Sequence, residues 1–501
     1  MKKMKKLLSL VLTVAMVVAM GVTVFADSSN TYSVSIKEAK EGHTYSAYQI
    51  FSGKLEGQTL SDVEWGSGVN TTAINDGKTL IQAINTIDGF ASCTDAKSVA
   101  KALEGKTSAV VDQFAKVVDK YLATAAGTAT APADGKYTIS GLSAGYYFVK
   151  DTADISGHDA QTKFIVEVLG NKAVDPKSSV PTVEKKVKEK NDTTGEETGW
   201  QDAADYDIGD NVPFQLTGTM PSTLADYDTY SYTFTDTLSA GLTSNNDVKV
   251  YLVNGEDKTD VTTAFTISNV VDNKFTVSCP DVKSIVGVTV TTSSKFIVEY
   301  TANLNKNAVI GSVGNPNRVD LTFSNNPNGE GTGKTPEDKV IVFTYKIVAN
   351  KVGEDGSTPL EGAGFTLYKI VNGQEVKVGN EITGVTTFEF KGTDAGEYVL
   401  KETTVPAEYN KAEDLHFTVN ATYDTNSADP KLTDLSVTGN NTFNTSITGE
   451  NDGSATTTIV NKRGSVLPST GGIGTTIFYV IGGILMVGAG VILVSRRRRS
   501  K

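Results

Sequence analysis

Cysteine is almost missing: Cys93 and Cys279 are the two in 501 residues. One disulfide at most can form, so this is not a disulfide-stapled fold. Histidine is nearly as scarce. His43, His158 and His416 with two cysteines do not build a typical zinc site, so no metal and no cofactor is expected. Basic charge is short too, with 46 Lys+Arg against 58 Asp+Glu and a formal net charge of -12. Lys2, Lys3, Lys5 and Lys6 at one end, and Arg496 to Arg499 with Lys501 at the other, sit in segments without acid. The body is therefore more acidic still, which argues against nucleic acid and anionic lipid as partners. No histidine has a convincing nucleophile near it, which argues against the usual hydrolases. Gly331-Thr332-Gly333-Lys334-Thr335 glances at a phosphate loop, but Asn328 stands where its first glycine is required. What remains is a chain of 39% hydrophobic residues, enough for globular cores. Its length suits about three domains.

The long apolar runs stand at the two ends. Lys2 to Lys6, the apolar stretch 7–24 and Val24-Phe25-Ala26 read as a secretory signal over 1–26, with the mature chain beginning at Asp27. At the other end, residues 473–494 are mostly apolar and uncharged, long enough to cross a bilayer. Arg496 to Arg499 follow and should stay cytoplasmic. Leu467-Pro468-Ser469-Thr470-Gly471 stands just before the span. Pentapeptide, span and basic tail in this order resemble the sorting signal of Gram-positive surface proteins. The resemblance implies that a membrane sortase cleaves between Thr470 and Gly471, holding Thr470 as an acyl-enzyme until an amine attacks.

Between the ends, short alternating runs such as Tyr147-Phe148-Val149, Phe296-Ile297-Val298 and Phe365-Thr366-Leu367 are broken by turn residues. This pattern predicts antiparallel sandwiches. Helical spacing of Leu80, Ile84 and Ile87, and of Val110, Phe114, Val117, Val118, Tyr121 and Leu122, predicts two helices packed on the first domain. Gly, Asn and Pro mark linkers at Asp175 to Pro181 and at Asn325 to Pro336.

Strand parity then places reactive groups on apolar faces. Lys185 shares a face with Val183 and Val187, and Lys186 points to water. Asp236 shares a face with Phe234. Asn317 shares one with Val319, Leu321 and Phe323, and Asn315 has the same parity. The theme returns where Lys351 alternates with Ile347 and Ala349, Glu402 with Tyr398 and Leu400, and Asn461 with Thr457 and Ile459. Burial disfavours both ammonium and carboxylate, leaving a neutral amine and a protonated acid. Such an acid can polarise an Asn carbonyl and shuttle a proton while the amine attacks and ammonia leaves. Parity alone leaves a second reading open, in which Lys185 with Asp236 and Lys351 with Glu402 are buried ion pairs. In the first domain, Tyr147, Val149 and Asp151 mimic the acid strand and Asn171 could accept, but Lys37 falls opposite Val34 and Ile36, so parity leaves a bond in that domain open.

These residues carry a family resemblance. Ala173-Val174-Asp175-Pro176-Lys177 looks like the pilin motif, with Asp175 where that motif has tyrosine. Tyr398 to Tyr409 is similar to the E-box, with Val405 and Glu408 departing from it. Asn350-Lys351-Val352, Leu360 to Tyr368 and Val460-Asn461-Lys462 look like parts of a collagen-adhesin B-type domain. Phe234 to Leu242 resembles the acid segment of a pilin middle domain. The chain thus resembles a major (backbone) pilin of sortase-assembled Gram-positive pili. The implied fold is all-β: tandem immunoglobulin-like, collagen-adhesin B-type sandwiches with helical insertions in the first domain, a signal peptide and a C-terminal transmembrane helix. The domains expected are a first pilin domain (27–176), a middle isopeptide-forming domain (177–335), a collagen-adhesin B-type domain (336–463) and the sorting signal (464–501). The resemblance implies a non-enzymatic, secreted and peptidoglycan-anchored fibre subunit. Thr470 of one copy would join Lys177 of the next. Lys185–Asn317 and Lys351–Asn461 bonds would form with Asp236 and Glu402 as their acids, and Asn315 stands as the other acceptor in the middle domain. The implied partners are a sortase, other copies of the chain, peptidoglycan, minor pilins and host surface ligands. A monomeric wall-anchored adhesin with the same domains is the alternative.

Overall fold

The computed structural model describes residues 31–38, 40–176, 178–464 and the helix Ile473–Arg499. The expected signal, Lys177 and the pentapeptide Leu467 to Gly471 lie outside the described residues. The described residues are mainly β, arranged as six sheets in three sandwiches followed by the apolar helix.

In the first sandwich, Tyr32–Ile36 lies between Tyr137–Leu142 and Lys172–Val174. This small sheet faces a larger one built on Tyr45–Glu56 and Gly145–Asp151. Val34, Ile36, Ala47, Ile139, Tyr147 and Val149 fill the space between them. Side chains of alternate parity, including Phe51, Tyr146 and Phe148, emerge on the far face of the larger sheet and pack under helices. There are three helices here rather than the expected two. Leu80–Ile84 and Ser108–Asp119 occupy the predicted places. The third, Ala96–Leu103, buries Ala96, Val99, Ala100 and Leu103 at helical spacing and starts on Asp95, whose side chain accepts from Ser98 N at 2.8 Å. Two of its four buried positions are alanine, so its apolar stripe is faint in the sequence.

The middle sandwich places the sheet of Val183–Val187, Asn211–Thr219 and Lys295–Leu304 against that of Tyr232–Leu238 and Asn315–Ser324. The second of these sheets extends past the boundary expected at residue 335, because Asp338–Phe343 pairs with Asn315 to Val319. Val340 and Val342 enter the middle core, while Ile341 and Phe343 enter the core of the third sandwich. A strand shared by two cores must be apolar on both faces, which explains the unbroken Val340-Ile341-Val342-Phe343 run.

In the third sandwich, Tyr345–Val352 and Ser454–Val460 run parallel side by side, with Lys351 opposite Ile459. They face the sheet of Gly364–Val371, Gly396–Thr404 and Leu415–Tyr423.

Both joints between sandwiches are packed. The segment expected as the second linker contains a strand, Thr332–Lys334, paired on Asn315–Ser324. It also docks on the first sandwich: Asn325 Nδ2 donates to Ile155 O at 2.7 Å, Gln161 N to Asn325 O at 2.8 Å, and Lys334 N to Gly157 O at 2.8 Å. At the other joint, the buried Lys369 ammonium of the third sandwich meets Asp192 and Asp207 of the middle one at 2.8 Å each, and Asp394 at 2.6 Å.

In the first sandwich a buried imidazole stands against the acid strand. His43 Nδ1 lies 2.7 Å from Asp151 Oδ2, and Nε2 lies 3.4 Å from Asp159, which Lys40 also reaches at 3.0 Å. Tyr45 stacks on the ring and Tyr137 meets it edge-on. Burial opposes the imidazolium, but the hydrogen bonds and charges of Asp151 and Asp159 outweigh it and push the His43 pKa up to about 9. The stabilisation from a raised pKa is complete below the unfolded value of 6.5 and is lost as pH rises through about 9. Thermal unfolding should therefore show the first sandwich melting lower at pH 9.5 than at pH 6, and His43→Asn should remove that dependence. The same pH slope in the variant would contradict the assignment.

Candidate functional site

In the middle sandwich the register of Val183–Val187 on Asn211–Thr219 sets Lys185 opposite Leu216 and turns its side chain inward. Lys185 is 0% exposed. Lys186, on the other face, pairs with Asp202 at 2.5 Å and Glu184 at 3.1 Å rather than standing in open water as expected. The Lys185 amine contacts Asp236 Oδ2 across the sandwich and lies 3.1 Å from the hydroxyl of Tyr300. The rings of Phe214 and Tyr300 each lie 5.3 Å from it. Tyr300 also donates to Asp236 Oδ2 at 2.9 Å and accepts from Asn317 Nδ2 at 2.7 Å. Burial pushes the Lys185 pKa down and the Asp236 pKa up, each against the attraction of the other. Both shifts favour the uncharged pair. Asp236 Oδ1 and Asn317 Oδ1 have no hydrogen-bond partner, an arrangement that a proton on Asp236 suits better than a carboxylate does.

The two candidate acceptors differ in what they touch. Asn315 is committed to backbone: its Nδ2 donates to Val309 O at 3.0 Å and Val342 O at 3.1 Å, and its Oδ1 accepts from Val309 N at 2.8 Å. Asn317 faces the Lys185 cluster, through Tyr300.

The third sandwich assembles its own set. Lys351 Nζ donates to Asn461 Oδ1 at 2.5 Å and to Ile459 O at 3.3 Å. Glu402 comes from the facing sheet, with Oε1 3.8 Å from the amine. Asn461 Nδ2 donates to Oε1 at 2.8 Å and Oε2 at 3.1 Å of Glu402, and Ala412 N donates to Oε2 at 2.6 Å. Lys351, Glu402 and Asn461 are each 1% exposed. Burial pushes the Lys351 pKa down to about 8, with Glu402 opposing.

Among the described residues, the first sandwich has a buried acid but no such set. Asp151 is buried with His43 as its partner. Lys37 is exposed and pairs with Asp175 at 3.2 Å, and Asn171 accepts from Ser33 N at 2.9 Å. A further acidic cluster, Asp192, Asp207, Asp210 and Asp394, has carboxylate oxygens within 4.8 Å of one another. The Lys369 ammonium pairs with three of these four, so the cluster reads as an ion-paired joint.

Tyr300 is the site residue that strand parity passed over. Its signal was present: Phe296, Val298, Tyr300 and Ala302 share the inward face, and a buried tyrosine hydroxyl requires a partner. Beyond the sandwiches, the helix Ile473–Arg499 contains a segment, Ile477–Arg498, of mean hydropathy 2.6, long and apolar enough to cross a membrane.

Comparison with known proteins matches three family models in chain order. Residues 208–327 match the Gram-positive pilin backbone subunit 2, Cna-B-like domain. Residues 345–434 match a prealbumin-like fold domain, and 459–501 the LPXTG cell wall anchor motif. The trypsin-resistant surface T6 protein of Streptococcus pyogenes serotype M6 is 26% identical, over 97% of this chain and 99% of that one. The solved T6 backbone pilin of serotype M6 S. pyogenes, a modular three-domain structure, covers 88% of this chain and 100% of its own at 20% identity, with a TM-score of 0.54. The full-length major pilin SpaD of Corynebacterium diphtheriae covers 88% of this chain and 99% of its own at 17% identity, with a TM-score of 0.46. A pilin-backbone domain, a prealbumin-like domain and a wall anchor in that order, within a likeness spanning the whole chain, identify this protein as a backbone pilin of sortase-assembled Gram-positive pili.

Proposed function

We propose that this pilin is joined head to tail by sortase, from the Thr470 carbonyl of one subunit to the Lys177 amine of the next. We further propose that each subunit is stiffened by two self-made amide bonds, Lys185–Asn317 and Lys351–Asn461. The units bounded as 27–176, 177–335 and 336–463 would then be the mechanical modules, the middle one extended to Phe343 by its last strand. The observation that carries the internal bonds is that a fully buried lysine, acid and asparagine are brought together twice, directly in the third module and through the Tyr300 hydroxyl in the middle one. A heterologous contact between copies builds an open filament rather than a closed ring.

The chemistry is the same in both. With its proton given to the acid, the amine attacks Cγ of the asparagine. The acid polarises the carbonyl, the Cγ–Nδ2 bond breaks, and ammonia departs with the transferred proton. In the third module Glu402 is placed to return the proton, since both its oxygens contact the nitrogen that must leave. Contact inside a folded core supplies an effective concentration of roughly 10⁵–10⁸ M. Each bond forms once, so the reaction is self-modification without turnover.

The two bonds would bear load differently. Lys351–Asn461 would join the parallel first and last strands of one sheet, so tension entering one strand leaves by the other. Lys185–Asn317 would cross between facing sheets, and its acceptor lies on Asn315–Ser324 rather than on the module's last strand.

Lys177→Ala should abolish the high-molecular-weight ladder of wall extracts in boiled detergent gels; an unchanged ladder would refute the role given to Lys177. Loss of one nitrogen and three hydrogens per bond makes each deficit about 17 Da, so the intact mass of chain 27–470 should be about 34 Da below its sequence mass. Glu402→Ala should restore about 17 Da of this, the lysine amine being left without its proton acceptor. A wild-type chain of full sequence mass would defeat both bonds.

A further inference from the structure

The two lysine sites differ in one respect that the shared chemistry does not explain. In the third module the acid itself touches the nitrogen that must leave, because Glu402 hydrogen-bonds Asn461 Nδ2 with both oxygens. No hydroxyl hydrogen-bonds to Lys351, Glu402 or Asn461 side chains among the described residues. The middle module has an aspartate instead, one methylene shorter. Asp236 holds the Lys185 amine, yet its hydrogen bonds go to Lys185 and Tyr300 and none goes to Asn317. Asn317 Nδ2 bonds the Tyr300 hydroxyl instead, at 2.7 Å.

Among the described residues, that hydroxyl is the one group in contact with all three partners: the amine at 3.1 Å, the acid at 2.9 Å and the leaving nitrogen at 2.7 Å. We propose that Tyr300 is a catalytic residue of the middle module, relaying a proton from Lys185 Nζ to Asn317 Nδ2 where Asp236 does not reach. This rests on the reading that Lys185 and Asn317 condense.

Proton and bond changes balance. After the Nζ–Cγ bond forms, Nζ carries a proton it must lose and Nδ2 needs one to depart as ammonia. The phenol oxygen accepts the first while its own hydrogen passes to the second, so Tyr300 ends as it began. Asp236 keeps its hold on the Lys185 amine throughout, and Asn317 Oδ1 has no hydrogen-bond partner among the described residues. Nothing is oxidised or reduced. Packing does not account for the hydroxyl. The Tyr300 ring stacks on Phe214 at 5.4 Å and meets Phe275 edge-on at 5.2 Å, contacts a phenylalanine would make equally well.

The experiment follows bond closure in pulse-labelled chain 27–470 by intact mass, with peptide mapping to tell the two bonds apart. Tyr300→Phe should slow the middle bond by about 10²-fold, the usual scale of a lost proton carrier, and leave the third-module bond at its wild-type rate. Adding Asp236→Glu to Tyr300→Phe rebuilds the third module's arrangement and should restore closure. Middle-bond closure at the wild-type rate in Tyr300→Phe would overturn the relay alone. A wild-type chain in which Lys185 and Asn317 stay unjoined would overturn the condensation itself and the relay with it. Should Tyr300→Phe not fold, 3,5-difluorotyrosine at position 300 keeps ring and hydroxyl while acidifying the latter. A relay then changes the closing rate, and an unchanged rate would overturn it.

Discussion

The structure turns on an ammonium ion deprived of water. Lys185 and Lys351 are set by strand parity into cores where solvation is lost, and desolvating an ion costs several kcal/mol even after relaxation. Two outcomes relieve that cost. Charge can be retained against a facing carboxylate, or a proton can cross and leave two neutral groups. At Lys185 burial drives the amine and Asp236 toward the neutral alternative from both sides. A neutral amine beside a carboxamide is a nucleophile beside an electrophile. Lys369 is the contrasting case within the same chain. It is also buried, but Asp192, Asp207 and Asp394 surround it and no asparagine hydrogen-bonds it among the described residues, so it stays charged and works as an ionic joint between modules.

Around these sites the modules are coupled to their neighbours rather than strung on loose linkers. Asp338–Phe343 serves two cores at once, so the middle and third sandwiches cannot separate without exposing Ile341 and Phe343 or Val340 and Val342. Asn325 to Lys334 is pinned to the first sandwich by backbone and amide hydrogen bonds. A fibre subunit with two unpaired cysteines, Cys93 and Cys279, has no disulfide to resist extension. Shared strands, ionic joints and the proposed amide bonds would divide that task.

Much of this was legible in the amino-acid sequence, for a physical reason. A period of two is enforced by the pleat, so one polar residue among alternating apolar ones declares its direction. That logic located the buried faces of Lys185, Asp236, Asn317, Lys351, Glu402 and Asn461. It could not separate Asn317 from Asn315, because both share a parity and only tertiary contacts with Val309 and Val342 distinguish them. Tyr300 escaped because an inward tyrosine in a strand looks like ordinary core. The Gly- and Asn-rich segment after Asn325 read as a linker because its partners lie in another module, more than 160 residues away for several of its bonds. Ala96–Leu103 was faint for want of large apolar residues. His43 precedes its strand, at Thr44–Tyr45, where alternation carries no information.

The most direct test of the central claim is tandem mass spectrometry of the digested, secreted chain. Branched peptides should carry Lys185 joined to Asn317 and Lys351 joined to Asn461, fragmenting from both arms. Linear peptides containing these four side chains unmodified would show that the buried lysines are held as ion pairs and would contradict the account.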